Sequence, residues 1–322
     1  MTINSKEKKN SLEKLVLIRE DGVEILSDEL YKKVERGNLS ASMVNSLLAC
    51  PADWILDKYI LNQIEHDEQP QLERGTLFHS CMESFFTIPA GQRTSQMLGT
   101  IAQEETALNH PHLMNDEESK SWLKNAIMGY LSMGFDFNDE VIPQIDWKGK
   151  KQYGLELFVD GKIGNTKRKV VGYIDKLVQK ETDGKKLLFI EDWKTGKTVH
   201  PFDPDKAISD SNSFDYWRQQ TLYSMLMEQE GVDVAGASLI FPVAKKIVTV
   251  DKDRHDVRER VIEDLERVDQ KLDKCLSDNF FPFTPALYCT WCHLFYSGRK
   301  KGRPRFPKIN QNELNLIVDY AD

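Results

Sequence analysis

No apolar run in this sequence approaches the roughly 20 residues that a helix needs to cross a bilayer, so a helical membrane protein is not expected. The opening MTINSKEKKNSLEKL is charged and polar and has no apolar core of the kind a secretory signal carries. Cysteine is scarce: 5 among 322 residues, an odd number too small for a disulfide framework. A cytoplasmic location with reduced thiols follows as the expectation. Internal repeats and long low-complexity segments are missing too. Net positive charge is absent, the formal value being -8. That argues weakly against a polyanionic partner, but net charge does not say where charges sit. RKKGRPRFPK, from Arg299 to Lys308, contains no acidic residue at all.

What is present is an alternation of helix and strand patterns. LVLIREDGVEIL predicts a hairpin around Asp21-Gly22. SASMVNSLLACPADWILDKYI has helical spacing, with Ser40 or Ser42 as N-cap and Pro51 breaking that helix or starting another. Further helices are expected over Leu72–Phe86 and Ser119–Leu131, with a polar insertion between them reaching to about Asp116. YGLELFVDGKI, KRKVVGYIDKLVQK and KLLFIEDWK are β-rich runs. A helix from about Phe214 to Glu230 follows, then strands in ASLIFPV and KKIVTVD. Val257, Val261, Leu265, Val268 and Leu272 mark one face of a long last helix. The pattern is an α/β core with an N-terminal helical part.

KLLFIEDWKTGK carries the chemistry. On a strand, alternate side chains share a face, so Asp192 and Lys194 point together at the end of an apolar strand. A carboxylate can hold a divalent metal that polarises a phosphate and acidifies water, and a lysine can orient that water or steady developing charge. The preceding strand brings Asp175, whose face by alternation also carries Tyr173 and Leu177. Two carboxylates on neighbouring strands repel unless a cation lies between them. Mg²⁺ needs only one or two carboxylates besides waters and phosphate oxygens. An isolated D-x-K would be an ordinary exposed strand; the surrounding set changes that.

Gly172-Tyr173-Ile174-Asp175, then Ile190-Glu191-Asp192-Trp193-Lys194-Thr195-Gly196, then Gln219-Gln220-Thr221-Leu222-Tyr223 resembles the ordered motifs of RecB-type nucleases. These form a branch of the PD-(D/E)xK superfamily. Upstream, Arg74-Gly75-Thr76-Leu77-Phe78-His79 resembles the G-x-x-x-H helix motif of that group. The resemblance implies a restriction-endonuclease-like core, a central mixed β-sheet flanked by helices. It implies metal ligation by His79, Asp175, Asp192 and the main-chain carbonyl of Trp193. Lys194 would be catalytic, with Gln219 and Tyr223 facing the site and the DNA. Gly75 with His79, and Gln219 with Tyr223, are i,i+4 pairs on single helix faces. An imidazole ligand admits Mn²⁺ as well as Mg²⁺. Glu156 is either a further acidic group of the site or an exposed strand carboxylate.

Cys50 with Cys289-Thr290-Trp291-Cys292 resembles the iron–sulfur subgroup, the CRISPR-associated-exonuclease-like branch, where a fourth cysteine completes the set. Here Gly298 stands at its place. Three alternatives stay open: an iron–sulfur cluster, a Zn²⁺ site completed by His293, or a metal-free remnant packed as core. In any of them, bringing the three cysteines together would close one domain. Cys81 and Cys275 read as buried thiols.

The organisation expected is an N-terminal extension over 1–39, a nuclease domain over 40–298 and a basic C-terminal tail over 299–322. The expected function is metal-dependent hydrolysis of DNA, exonucleolytic on single strands or ends, in recombination, repair or phage DNA metabolism. The setting would be a bacterial or phage-infected cell, with a helicase or recombination protein as partner. A binding protein that has lost activity and a structure-specific endonuclease are the competing readings. Lys148, Lys150, Lys151, Lys167 to Lys169, Lys197 and the tail are candidate DNA contacts. Phe214, Tyr216 and Trp217 are candidates for stacking on bases, with core packing as the alternative.

Overall fold

The computed structural model of the chain describes residues 13–64, 70–138, 140–199, 211–251, 255–284, 291 and 310–321. Two compact units are formed, Met1–Gln69 with Asp264–Asp322, and Pro70–Glu263. The first unit joins the two ends of the chain, and both of its boundaries fall inside the span 40–298.

In the first unit, β1 (Val16–Ile18) and β2 (Gly22–Ile25) make the hairpin expected at Asp21-Gly22. A Cβ on Gly22 would lie 2.6 Å from the Phe281 carbonyl oxygen, so only glycine lets β10 (Phe281–Pro282) pair there. On the other side β1 pairs in parallel with β11 (Val318–Tyr320), giving the order β10-β2-β1-β11. Helix α1 (Asp28–Glu35) is capped by Ser27. Helix α2 (Ala41–Ala49) is capped by Ser40, whose side chain accepts the Met43 N–H, and Pro51 opens α3 (Pro51–Ile55) as its first residue. Trp54 stacks on Phe281 with centroids 6.2 Å apart.

The second unit is built on a five-stranded sheet of order β5-β6-β7-β8-β9. Its strands are β5 (Leu155–Gly161), β6 (Val170–Thr182), β7 (Lys185–Trp193), β8 (Gly236–Phe241) and β9 (Lys246–Asp251). All neighbours are antiparallel except β7 and β8. That parallel step requires a crossover, which α7 (Ser211–Gln229) lies within. The result is a mixed sheet flanked by helices. β3 (Gln144–Trp147) and β4 (Lys150–Tyr153) form a separate hairpin.

Helices α4 (Pro70–Thr87), α5 (Ser95–Asn109) and α6 (Glu117–Leu131) share one apolar cluster with Trp193 of β7 and Ile240 of β8. Phe78, Phe85 and Phe86 are fully buried in it, each worth about 2–3 kcal/mol in transfer free energy. Helix α5 occupies the stretch that its polarity marks as an insertion. Only Leu98, Ala102 and Thr106 are buried along it, so its helical period is thinly written, and Thr94 caps its start. The long helix α8 (His255–Ser277) buries Val257, Val261, Leu265, Val268 and Leu272, the face expected for it.

Candidate active site

Strands β6 and β7 run in register from Thr182↔Lys185 to Lys176↔Glu191. The next rung belongs to Asp175 and Asp192, and there the ladder ends. In place of a partner carbonyl, the Trp193 N–H meets the side chain of Asp175, donating to Oδ2 at 3.0 Å. Asp175 is therefore both a buried carboxylate and a main-chain cap, held where the two strands part.

Helix α4 delivers His79 to the same point. One ring nitrogen, Nδ1, is 3.3 Å from Asp175 Oδ2, and the other, Nε2, is 2.9 Å from the Trp193 carbonyl oxygen. The close approach of this helix explains Gly75: a Cβ there would press on Thr195 Oγ1 at 3.2 Å. Glu156 of β5 completes a cluster with His79 and Asp175, one potential ligand atom from each lying within 4.8 Å of the others. Glu156 adopts a positive φ of 43°, a conformation non-glycine residues rarely hold without a local reason. These three residues line a cleft of about 420 Å³ with Gly75, Thr76, Ser80 and Glu83. A larger, mostly apolar cavity of about 730 Å³, lined from α5 and α6, contains none of them.

Lys194 follows β7 and is fixed there by its own N–H, which donates to the Ile240 carbonyl at 2.8 Å. Its Nζ lies 2.6 Å from Asp192 Oδ2 and donates to Gln219 Oε1 at 3.0 Å. The Gln219 amide in turn donates to the Tyr223 hydroxyl at 3.0 Å. Tyr223 packs against β6 so closely that a Cβ on Gly172 would lie 2.1 Å from its ring. Nζ of Lys194 also stands 5.0 Å from the Tyr216 ring centroid. Phe214 and Trp217 are core residues, which leaves Tyr216 alone of the three aromatics partly exposed.

The electrostatics are those of a crowded acidic cluster that could take a cation. Burial, reinforced by the charge of Asp192, holds the Asp175 carboxyl well above the usual carboxylate range. Burial raises Glu156 to about 7, with Glu83 and Asp192 adding to it. Burial lowers His79, favouring the neutral imidazole that can serve as a ligand. Burial would lower Lys194 also, but Asp192 and Asp175 outweigh it and keep the ammonium charged. Crowded carboxylates raised in this way are relieved by a divalent cation. The donor set of carboxylates, one imidazole and one carbonyl fits Mg²⁺ or Mn²⁺.

The structure thus brings His79, Glu156, Asp175, Asp192, Trp193, Lys194, Gln219 and Tyr223 into one connected group. Cys50 lies elsewhere, in the first unit, where its Sγ accepts the N–H groups of Asp53 at 3.4 Å and Thr284 at 3.3 Å. Cys289, Cys292 and the basic tail from Arg299 to Lys308 lie outside the described residues. Trp291, between the two cysteines, is buried and donates from Nε1 to Asp57 Oδ1 at 2.6 Å. Cys81 and Cys275 are buried, which raises their thiols to about 12 and about 11. Among the candidate DNA contacts, Lys148 and Lys169 are paired with Asp160 at 2.7 and 3.1 Å.

Residues 38–294 match the family model of the PD-(D/E)XK nuclease superfamily. The chain belongs to that superfamily. No curated protein matches the sequence. Among solved structures, a crystal structure of a "putative exonuclease" from Eubacterium rectale is similar over 87% of this chain and 95% of its own, at 11% identity and a TM-score of 0.49. A likeness of that size bears on neither activity nor substrate.

What the sequence reading missed is the layer behind the site. Lys176 and Glu191 alternate with Asp175 and Asp192 and are fully buried, with Glu140 as a third charged partner. Charged residues in strands read as solvated, and nothing local marks these as core. The one available signal was their spacing, since each sits beside a site acid.

Proposed function

We propose that this nuclease hydrolyses DNA phosphodiester bonds in a divalent-metal-dependent reaction, acting exonucleolytically on single strands or ends. The observation that carries it is the meeting of Asp175, Asp192 and Lys194 at the parting of β6 and β7, with His79 brought alongside. A divalent cation held by His79, Asp175, Asp192 and the Trp193 carbonyl, with Glu156 adjoining, would draw charge from the scissile phosphate and ease ionisation of the attacking water.

The chain's own residues do the rest. Lys194 keeps its proton and presents a fixed positive charge to the phosphate or the attacking water. Asp192 and Gln219 grip that ammonium from two sides, so it needs little reorganisation as charge develops. Tyr223 fixes the orientation of the Gln219 amide. Asp175 ties the end of β7 to β6 through the Trp193 N–H, which keeps the acids at one separation. Work in recombination, repair or phage DNA metabolism beside a helicase accords with this activity.

The test is an assay on labelled single-stranded and duplex DNA with Mg²⁺, Mn²⁺ or EDTA. Release of short products from single strands or ends, dependent on metal and lost in EDTA, is expected. Absence of cleavage with either metal, at any pH from about 6 to 9, would overturn it.

A further inference from the structure

Phe158 and Tyr173 are Cα partners across β5 and β6, and Tyr173 stands one same-face step from Asp175 along β6. Such a step is about 6.6 Å. Their rings meet with centroids 5.2 Å apart and planes tilted by 55°. Tyr173 is 56% exposed, more than any other aromatic side chain among the described residues. Its flanking residues Gly172 and Ile174 are buried. Below it, Tyr223 covers Gly172, where a Cβ would lie 2.1 Å from its ring. The strand that lifts this ring into solvent is therefore clamped from its other face by the helix that also holds Gln219 beside Lys194. A mobile surface tyrosine would not need that support.

A rigid aromatic face beside a phosphodiester-cleaving centre has a chemical use. Base–aromatic stacking is indifferent to sequence, because every base has a π-face. Inside a duplex both faces of a base are already stacked on its neighbours, whereas an unpaired base can turn one face to a protein ring. We propose that Tyr173, supported by Phe158, is a stacking platform for an unpaired base next to the scissile phosphate, which makes single-stranded nucleic acid the preferred substrate. This deepens the nuclease reading above and rests on it.

The experiment compares wild-type protein with Tyr173→Ala and Tyr173→Phe on a labelled single strand and on a duplex. Tyr173→Ala should raise KM for the single strand about tenfold or more, the scale of a lost base stack, while kcat and the duplex rate hold. Tyr173→Phe should behave as wild type, which excludes a hydroxyl contact to phosphate. An abasic residue walked along the strand should cost wild type the same factor at one position, and cost Tyr173→Ala nothing further there. Equal losses in both proteins, or an unchanged KM in Tyr173→Ala, would overturn the platform. A second measurement needs no cleavage: 2-aminopurine in a single strand should be quenched by wild type in EDTA and not by Tyr173→Ala. If wild type cuts no nucleic acid with Mg²⁺ or Mn²⁺, the nuclease reading fails by itself. Quenching that is absent, or equal in both proteins, sinks the platform whichever way cleavage turns out.

Discussion

Lys176 and Glu191 face each other across β6 and β7, one residue behind Asp175 and Asp192, with Nζ 2.5 Å from Oε2 and both side chains withdrawn from water. The same ammonium donates to Glu140 at 2.7 Å and stands 4.1 Å from the Phe86 ring centroid. It also lies 5.8 Å from the ring centroid of Trp193, the residue whose main chain touches both His79 and Asp175. Burial by itself would lower this lysine, but Glu191 and Glu140 outweigh it and hold it above its ordinary value. A charged cluster therefore lies directly under the acids of the site.

Lys176→Met removes the buried cation and leaves Glu140 unpaired beside Glu191, which keeps only the half-exposed Lys180 at 2.6 Å. Breaking a buried pair from one side costs about 3–5 kcal/mol, to be read from urea unfolding. Replacing Glu191 by Leu in the same protein should recover most of that loss, because Glu140, already raised by burial, can go neutral. A single variant that loses under about 1 kcal/mol, the scale of an exposed pair, would show that the cluster is not what holds β6 to β7.

The second expectation separates chemistry from fold. Lys194 is tied at its backbone to Ile240 and at its ammonium to Asp192 and Gln219. Lys194→Ala should lower kcat by about 10²–10³, the scale for losing one preorganised charge donor, with thermal stability and substrate affinity little changed. Asp192→Asn should behave likewise and weaken metal affinity too. If Lys194→Ala turns over near the wild-type rate at saturating metal, the assignment of the site is wrong.

Much of this arrangement is legible in the sequence because strand alternation is a short-range rule. The pairing of Asp192 with Lys194 needs only the period of β7, and the four motifs name the helices that supply His79 and Gln219. Alternation also groups Asp175 with Tyr173 and Leu177, and there it reaches its limit. Leu177 is fully buried while Tyr173 is mostly exposed, because the covering elements change along β6. Three other features depend on long-range packing and leave no local mark. Glu156 holds a positive φ on a strand, Lys176 is charged yet core, and α5 buries too few apolar residues to announce itself.

A third expectation follows from Glu156, raised to about 7 by burial with help from Glu83 and Asp192. In the unfolded chain a glutamate titrates near 4.3. Between those values the metal-free native state binds the proton and the unfolded state does not, so stability falls as pH rises through that window. Asp175, shifted in the same direction, adds to the trend. A cation must displace those protons, so its affinity should grow with pH, by up to about tenfold per unit for each proton released. Thermal unfolding with and without Mg²⁺ at pH 5.5 and pH 8, values that bracket the Glu156 titration at about 7, tests this. The stabilisation by Mg²⁺ should be clearly larger at the higher pH. Equal stabilisation at both would mean that Glu156 and Asp175 do not face the cation.

The fourth expectation concerns the contact that seats α7 on the sheet. Tyr223 lies over Gly172 with no room for a side chain between them, a Cβ falling 2.1 Å from ring carbon Cε1. Gly172→Ala must push the ring away, and with it the hydroxyl that orients Gln219. Overpacking of this kind costs about 1–3 kcal/mol, and a displaced Gln219 would free the Lys194 ammonium on one side. Both stability and kcat should therefore fall. Tyr223→Ala alone should lower kcat through the same amide while opening a cavity in the helix–sheet contact. Combining the two should be less harmful than the sum of the single changes, since the new methyl enters the space the ring has left. A double-mutant cycle on both unfolding free energy and kcat measures this coupling. Strict additivity in the cycle would mean that Tyr223 does not transmit the position of β6 to Lys194.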